Sequence, residues 1–380
     1  MRIVHVEDYF DPSAGYQINE LLLASRNFKD EVFLITSNDM TPFHKNVNFD
    51  SDRKFEKENN VKIIRLDSAF RLSSRLILKG LWKTLSNLHP DLVFMHGIGD
   101  FKDLILFRAK RKYEIVRDCH MSWVASQNRF RMLYYTLFRK IFAPIINNTD
   151  KYAKIFALGD EEYQYLTNLG ISQSKIDYLR HGYNDAIMYY DHAARASIRK
   201  EYGFEDSDVV ISYIGKFNKS KRPDIVFDII DNIDKSVIDE FKLKLLFIGP
   251  KENQYMQNTF GAKLKQMEDK IKIIVDSSKP FNELRKYYSA SDICIFPKET
   301  SLSSIHAQIC GCPVIMENHV SNNERVVKKD NLFEVNNLNQ ATDILKRIIE
   351  RKEYLKKDDT PNLFIDREYK NQVEKLRKLI

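Results

Sequence analysis

Twelve short runs rich in Val, Ile and Leu, each set off from the next by connecting segments, constrain this chain more than any other feature. Six occupy residues 2–6, 31–36, 61–66, 92–96, 114–117 and 154–158. They are continuously apolar instead of alternating, as strands of a parallel sheet covered on both faces must be. The pattern then restarts, with runs at 209–215, 243–249, 271–275, 293–297, 313–316 and 332–335. The restart predicts two doubly wound domains, and 380 residues exceed what one core usually supports.

A charged, Tyr-rich stretch, 181–204, separates the two series and reads as linker plus first helix of the second domain. With the boundary near Asp191, the expected division is 1–190 and 191–362. A charged segment, 363–380, follows with no further strand and is expected to be a helix lying across the hinge.

The formal charge of +7 favours an anionic partner: a nucleoside diphosphate, an anionic lipid surface or nucleic acid. Nucleic acid is set aside, because the chain shows neither an RNA-binding signature nor a continuous aromatic-basic platform. Cys119, Cys294, Cys310 and Cys312 lack the paired spacing of a zinc site and read as reduced thiols. The first residues form a strand pattern, and no run reaches the ~20 apolar residues that span a bilayer. The chain is therefore expected to be soluble or peripheral, cytoplasmic, and placed at the inner face of the membrane. Two Asp-x-Asp triplets, Asp50–Asp52 and Asp206–Asp208, do not end apolar runs and read as turns, so no metal site is expected.

In open α/β sheets ligands bind beyond the carboxyl ends of the strands, so the strand-end loops carry the chemistry. After the first strand of the second series comes GKFNKSKRPD, Gly215 to Asp224. Glycine lets backbone approach a ligand closely, and Lys216 and Lys221 can neutralise a pyrophosphate leaving group. A solvated basic loop is the alternative. Further on, FPKETSLSSIHAQICGCPVI runs from strand through a hydroxyl-rich turn into a helix. There Thr300, Ser301, Ser303 and Ser304 can cap the helix and aim N–H groups at a phosphate.

Taken together, these segments resemble the family-four retaining glycosyltransferases of GT-B fold, over most of the chain. DPSAGYQINELLLA looks like that family's Gly-rich first loop and helix, VRDCHMSW places His120 just past a strand, and KIDYLRHGYND resembles the segment entering the second domain. GKFNKSKRPD carries the most specific match. The resemblance implies two Rossmann-like domains facing a central cleft and a nucleotide-sugar donor, UDP- or GDP-linked, with no cofactor and no essential metal. It implies sugar transfer with retention to a saccharide acceptor of a surface glycan, such as a lipid-linked saccharide. His120, Lys216 and Lys221 take the catalytic positions. Gly15, Gly215, Glu299, Ser301, Leu302, Ser303 and His306 fall on the donor side, and Ala14, Tyr16 and His96 on the acceptor side. The family's pair of Glu residues is altered: His306 stands at the second, which holds the ribose, and the first maps onto Lys298, or onto Glu299 if the loop is one residue shorter.

The stretches 71–88 and 129–146 mix cations with Leu, Phe, Trp and Tyr and read as amphipathic helices that either pack on the core or lie in a membrane interface. Two rival functions remain open at this point: a sugar-nucleotide epimerase or hydrolase of related fold, and a catalytically silent nucleotide-binding partner of another transferase.

Overall fold

The computed structural model describes residues 1–41, 47–109, 112–121, 131–298, 302–355 and 364–380. They fall into two compact units, residues 1–181 with 366–380 and residues 182–365. The first unit holds strands β1 (Arg2–Val6), β2 (Glu31–Ser37), β3 (Val61–Leu66), β4 (Ser68–Leu72), β5 (Arg75–Leu78), β6 (Leu92–Met95), β7 (Glu114–Cys119), β8 (Lys154–Ala157) and β9 (Ile176–Tyr178). Seven of them form one sheet in the order β3-β2-β1-β6-β7-β8-β9, every pairing parallel. The central strands are sealed on both faces, with Ile3, Val4, Val6, Val93 and Phe94 at 1% exposure or less. That burial is why these runs do not alternate with polar residues.

The second unit holds β10 (Val209–Ile214), β11 (Leu243–Ile248), β12 (Lys272–Asp276), β13 (Ile293–Phe296), β14 (Val314–Glu317) and β15 (Leu332–Phe333). Its parallel sheet runs β12-β11-β10-β13-β14-β15. All twelve apolar runs are thus strands. In each sheet the chain winds first to one side and then to the other, which creates a switch point between β1 and β6 and another between β10 and β13. Helices on either side of such a point diverge and leave a crevice at the strand ends.

Several expectations are corrected. The stretch 71–88 is not one helix: β4 and β5 form an antiparallel hairpin, and only Leu81–Leu88 is helical. Asp50–Asp52 is not a turn but the start of the helix Phe49–Asn59, capped by Asn48, and buried Asp52 pairs with Arg65 at 2.6 Å. The units divide between His181 and Gly182 rather than near Asp191, because Tyr183 and Met188 already pack into the second core. The C-terminal helix Tyr369–Arg377 belongs to the first unit, where Tyr369, Val373 and Leu376 share a core with Ile3, Leu21 and Phe94. The second amphipathic stretch is helical through 131–148 with a π turn at Phe138–Phe142, while 129–130 lie outside the described residues. No helix among the described residues is long and apolar enough to cross a membrane.

Candidate functional site

In the second unit a cavity of about 330 Å³ opens at the ends of β10 to β13. Its floor is backbone. Gly215 follows β10 and Gly249 follows β11, and a Cβ added to Gly249 would lie 1.8 Å from the Gly215 carbonyl oxygen. Gly249 also takes φ +152°, so only glycine fits this contact. Beyond the strands the ladder continues: Gly215 N–H donates to the Ile248 carbonyl and Phe217 N–H to that of Pro250, each at 2.9 Å. The loop carrying the lysines is therefore pinned at the carboxyl ends of β10 and β11. The Tyr213 hydroxyl donates to the Lys216 carbonyl at 2.8 Å, and the Asn218 side chain accepts from Lys221 N–H at 3.0 Å.

Lys216, Lys221 and Lys279 line this cavity between apolar walls that include Ile214, Leu284 and Phe296. Lys279 bonds to Asp276 at 2.8 Å, which raises its pKa above the usual lysine value. Three cations in a partly apolar crevice make a site for a diphosphate, whose oxygens accept charge-assisted hydrogen bonds. Arg222, the fourth cation of the loop, is structural. Its guanidinium donates twice to Asp224, at 2.8 Å each. Burial works against the Asp224 charge, but Arg222, Tyr255 and Lys263 hold its pKa down at about 2.

Gly215, Lys216, Lys221 and Ser303 line this one cavity, and Ser303 also hydrogen-bonds Tyr288. Leu302 begins the helix Leu302–Ile309 and packs on the core, while Glu299, Thr300 and Ser301 lie outside the described residues. His306 is 3% exposed and does not line the cavity. Burial drops its pKa to about 4, partly offset by a hydrogen bond with the Gly182 backbone, so it is a neutral imidazole. Lys298 is held in place, donating to Glu317 at 2.6 Å and to the Asn336 side-chain oxygen at 2.7 Å.

The first unit's switch point holds a second constellation. Because β1 lies beside β6 and β6 beside β7, His5, His96 and Asp118 form a chain: His5 Nδ1 to His96 Nε2 is 3.0 Å, and His96 Nδ1 to Asp118 Oδ2 is 2.7 Å. Asp118 Oδ1 accepts from Gly97 N–H at 2.6 Å and meets His120 Nε2 at 3.1 Å. Burial opposes a charge on His120, yet the Asp118 carboxylate outweighs it and carries the imidazole to a pKa of about 9. The Asp118 carboxyl is held well below its usual range: burial opposes ionisation and the two histidines overcome it. Around this chain, fully buried Arg117 pairs with Asp103 at 2.7 Å and Asp100 at 3.0 Å, and Lys102 pairs with Asp8 at 2.7 Å. Each buried charge has a partner, as burial demands.

His96, Asp118 and His120 present ligand atoms within 4.8 Å of one another, a grouping that sequence spacing did not reveal. Their separations are hydrogen-bond lengths, and a cation there would have to displace the shared protons. Ala14 and Gly15 sit in the loop after β1, and Tyr16 immediately precedes the following helix without a side-chain capping bond, 66% exposed.

Residues 194–360 match the family model described as glycosyl transferases group 1. The match lies within the second unit. Among curated proteins no sequence matches this chain. Solved structures similar to it include Anabaena Alr3699/HepE in complex with UDP, at 12% identity and TM-score 0.70, covering 100% of this chain and 99% of that one. A glycosyltransferase from Rickettsia africae is similar at 16% identity and TM-score 0.68, covering 100% and 98%. Sucrose-phosphate synthase from Thermosynechococcus elongatus is similar at 16% and 0.60, covering 99% and 94%. These likenesses span both units and establish the GT-B fold. In the second unit, the sequence reading passed over Ser278 and Lys279. Their signal was a strand ending in DSSKP, which looks like any polar turn. It also passed over His5 and Asp118, which sit within apolar strands.

Proposed function

We propose that this chain transfers a sugar from a nucleoside-diphosphate donor to a saccharide acceptor of a surface glycan, with retention and without a divalent metal. The observation that carries the reading is the convergence of Lys216, Lys221 and Lys279 on a backbone-floored cavity at the β10/β13 switch point of the unit that matches the group 1 family. The Anabaena structure of the same fold was determined with UDP and with UDP-glucose, which supports a uridine nucleotide here. In this reading the lysines take the charge that builds on the departing diphosphate, while the close Gly215–Gly249 backbone leaves room for it. Ser303, Leu302 and the loop carrying Glu299 and Ser301 are assigned to the donor; His306, buried and outside the cavity lining, is left out of that assignment. In the first unit, His120 offers a positive charge to a substrate, Gly15 is assigned to the donor side, and Ala14, Tyr16 and His96 to the acceptor side.

The test is turnover and binding in a Lys216→Ala/Lys221→Ala variant. Loss of turnover on the order of 100-fold or more, with thermal stability retained, is expected if the lysines stabilise the leaving group. Unchanged kinetics would remove the argument. The silent-partner reading draws on the resemblance, in which His306 stands at the family's second Glu and Lys298 or Glu299 at its first, and on the pairing of Lys298 with Glu317. Tight nucleotide binding with no product from any donor would select it. Release of free sugar or of an epimerised nucleotide sugar would instead select the hydrolase or epimerase reading.

A further inference from the structure

Three potential metal ligands converge at the β1/β6 switch point of the first unit: an imidazole nitrogen of His96, a carboxylate oxygen of Asp118 and an imidazole nitrogen of His120, all within 4.8 Å of one another. The facing atoms are His96 Nδ1, 2.7 Å from Asp118 Oδ2, and His120 Nε2, 3.1 Å from Asp118 Oδ1. Donors about 2.1 Å from a tetrahedral ion lie about 3.4 Å from one another, so side-chain shifts of well under an ångström open the space for one.

Two of the three ligands are also braced on the side away from such an ion. His96 turns its other nitrogen, Nε2, to His5 Nδ1 at 3.0 Å, and Asp118 Oδ1 accepts from the Gly97 N–H at 2.6 Å. The rings are packed as well: His5 stacks on His96 with centroids 5.3 Å apart, and Phe94 stacks on His96 at 4.0 Å. Metal-binding imidazoles are held in this way, by a partner on the nitrogen that does not face the ion, which fixes both ring and tautomer. His5, His96 and Asp118 are buried, whereas the His120 side chain is 42% exposed, so an ion has a way in past His120.

The donor set selects the ion. Two imidazoles and one carboxylate suit zinc, while magnesium and calcium prefer shells of oxygen. Three protein donors leave the fourth position to water, as in zinc sites that stay open. Glu7 follows β1 directly, two residues beyond His5, and both His96 and His120 act on its charge. With Asp118 it sets two carboxylates against the two charges of the ion, and the nearby Lys102 is engaged by Asp8 and Asp100. On coordination His120 releases its Nε2 proton to solvent and keeps the one on Nδ1. His96 carries its proton on Nε2, toward His5, whose own proton then sits on the far nitrogen of its ring.

We propose that His96, Asp118 and His120 bind one zinc ion, with His5 and Gly97 as its outer shell, and that the bound ion switches the first unit off by withdrawing His120 from substrate. The binding rests on these residues alone; the switching rests on the role given to His120 in the proposed transfer. Chelator-stripped full-length protein is to be titrated with zinc chloride by calorimetry, and with cobalt chloride to read the visible absorption of four-coordinate cobalt. One ion per chain is expected, with no response to magnesium chloride. Loss of an outer-shell partner costs roughly 10- to 100-fold in metal affinity, so His5→Phe should fall in that range and His120→Ala at or beyond its upper end. His319→Ala, in the second unit, should leave zinc binding unchanged. Zinc should slow glycosyl transfer, with recovery on chelation. Circular dichroism on each variant and UDP calorimetry on the zinc-free protein identify misfolding and failure of the donor reading separately. No zinc uptake by wild type overturns the proposal, as does uptake that folded His120→Ala and His5→Phe retain in full, or that His319→Ala abolishes. Zinc-loaded protein that transfers sugar at the zinc-free rate overturns the switch.

Discussion

Asp118→Asn tests the electrostatics of the first unit directly. Asp118 is fully buried and bridges His96, Gly97 and His120, and Asn keeps its size and the bond from Gly97 while removing the charge. Raising an imidazole from 6.5 to about 9 corresponds to about 3.4 kcal/mol of preference for the charged ring. The His120 side chain is 42% exposed, so solvent screening reduces that to on the order of 1–2 kcal/mol. The sign follows from a folded pKa above the unfolded one. This contribution is fully present below pH 6.5 and is lost as pH rises through about 9. The assay is an NMR titration of the histidine Cε1–H signals in wild type and variant, with thermal melts at pH 6 and pH 9.5. His120 should titrate near 9 in wild type and at or below 6.5 in Asp118→Asn, and the variant's stability deficit should shrink at the higher pH. A wild-type His120 titrating near 6.5, or an unchanged pKa in the variant, refutes the reasoning.

Other outcomes follow from the same structure. His306 carries the opposite sign: its folded pKa of about 4 lies below the unfolded 6.5, so stability falls as pH drops from 6.5 toward 4. His306→Gln should flatten that part of the stability–pH curve, and melts across pH 4–7 check it. Gly249→Ala should cost several kcal/mol, since its Cβ would overlap backbone at a φ that Ala resists; urea unfolding would show otherwise by an unshifted midpoint. Glycosyl transfer should persist in excess chelator, and abolition with rescue by magnesium or manganese would turn the His96–Asp118–His120 group into a catalytic metal site.

The strands were legible because a strand buried on both faces has no choice but to be apolar throughout. The β4–β5 hairpin was not, because its turn contains neither Gly nor Pro. Ser73 adopts φ +57° there, and Leu72 and Leu76 fall at helical spacing. Strand β9 is three residues long and offers no period to read. In the site, the cations after Gly215 announced themselves by density, whereas the group around Asp118 exists only once sheet order is known. His5 and Asp118 are far apart in sequence and meet because β6 lies between β1 and β7. The sequence placed His306 by counting from Gly311, and counting cannot tell an exposed face of a helix from a buried one.

The chain leaves the first unit at His181 and re-enters it at Asp366, so the second unit is an insertion within the first. During synthesis, which proceeds from the N-terminus at about 5–20 residues per second, residues 182–365 are complete before the helix Tyr369–Arg377 emerges. The second unit can therefore close its core first, while the first waits with the surface around Ile3, Leu21 and Phe94 uncovered. The residues made after the second unit are the ones that finish the part begun first. Truncating them would leave that apolar seam exposed in a chain whose second unit is already folded.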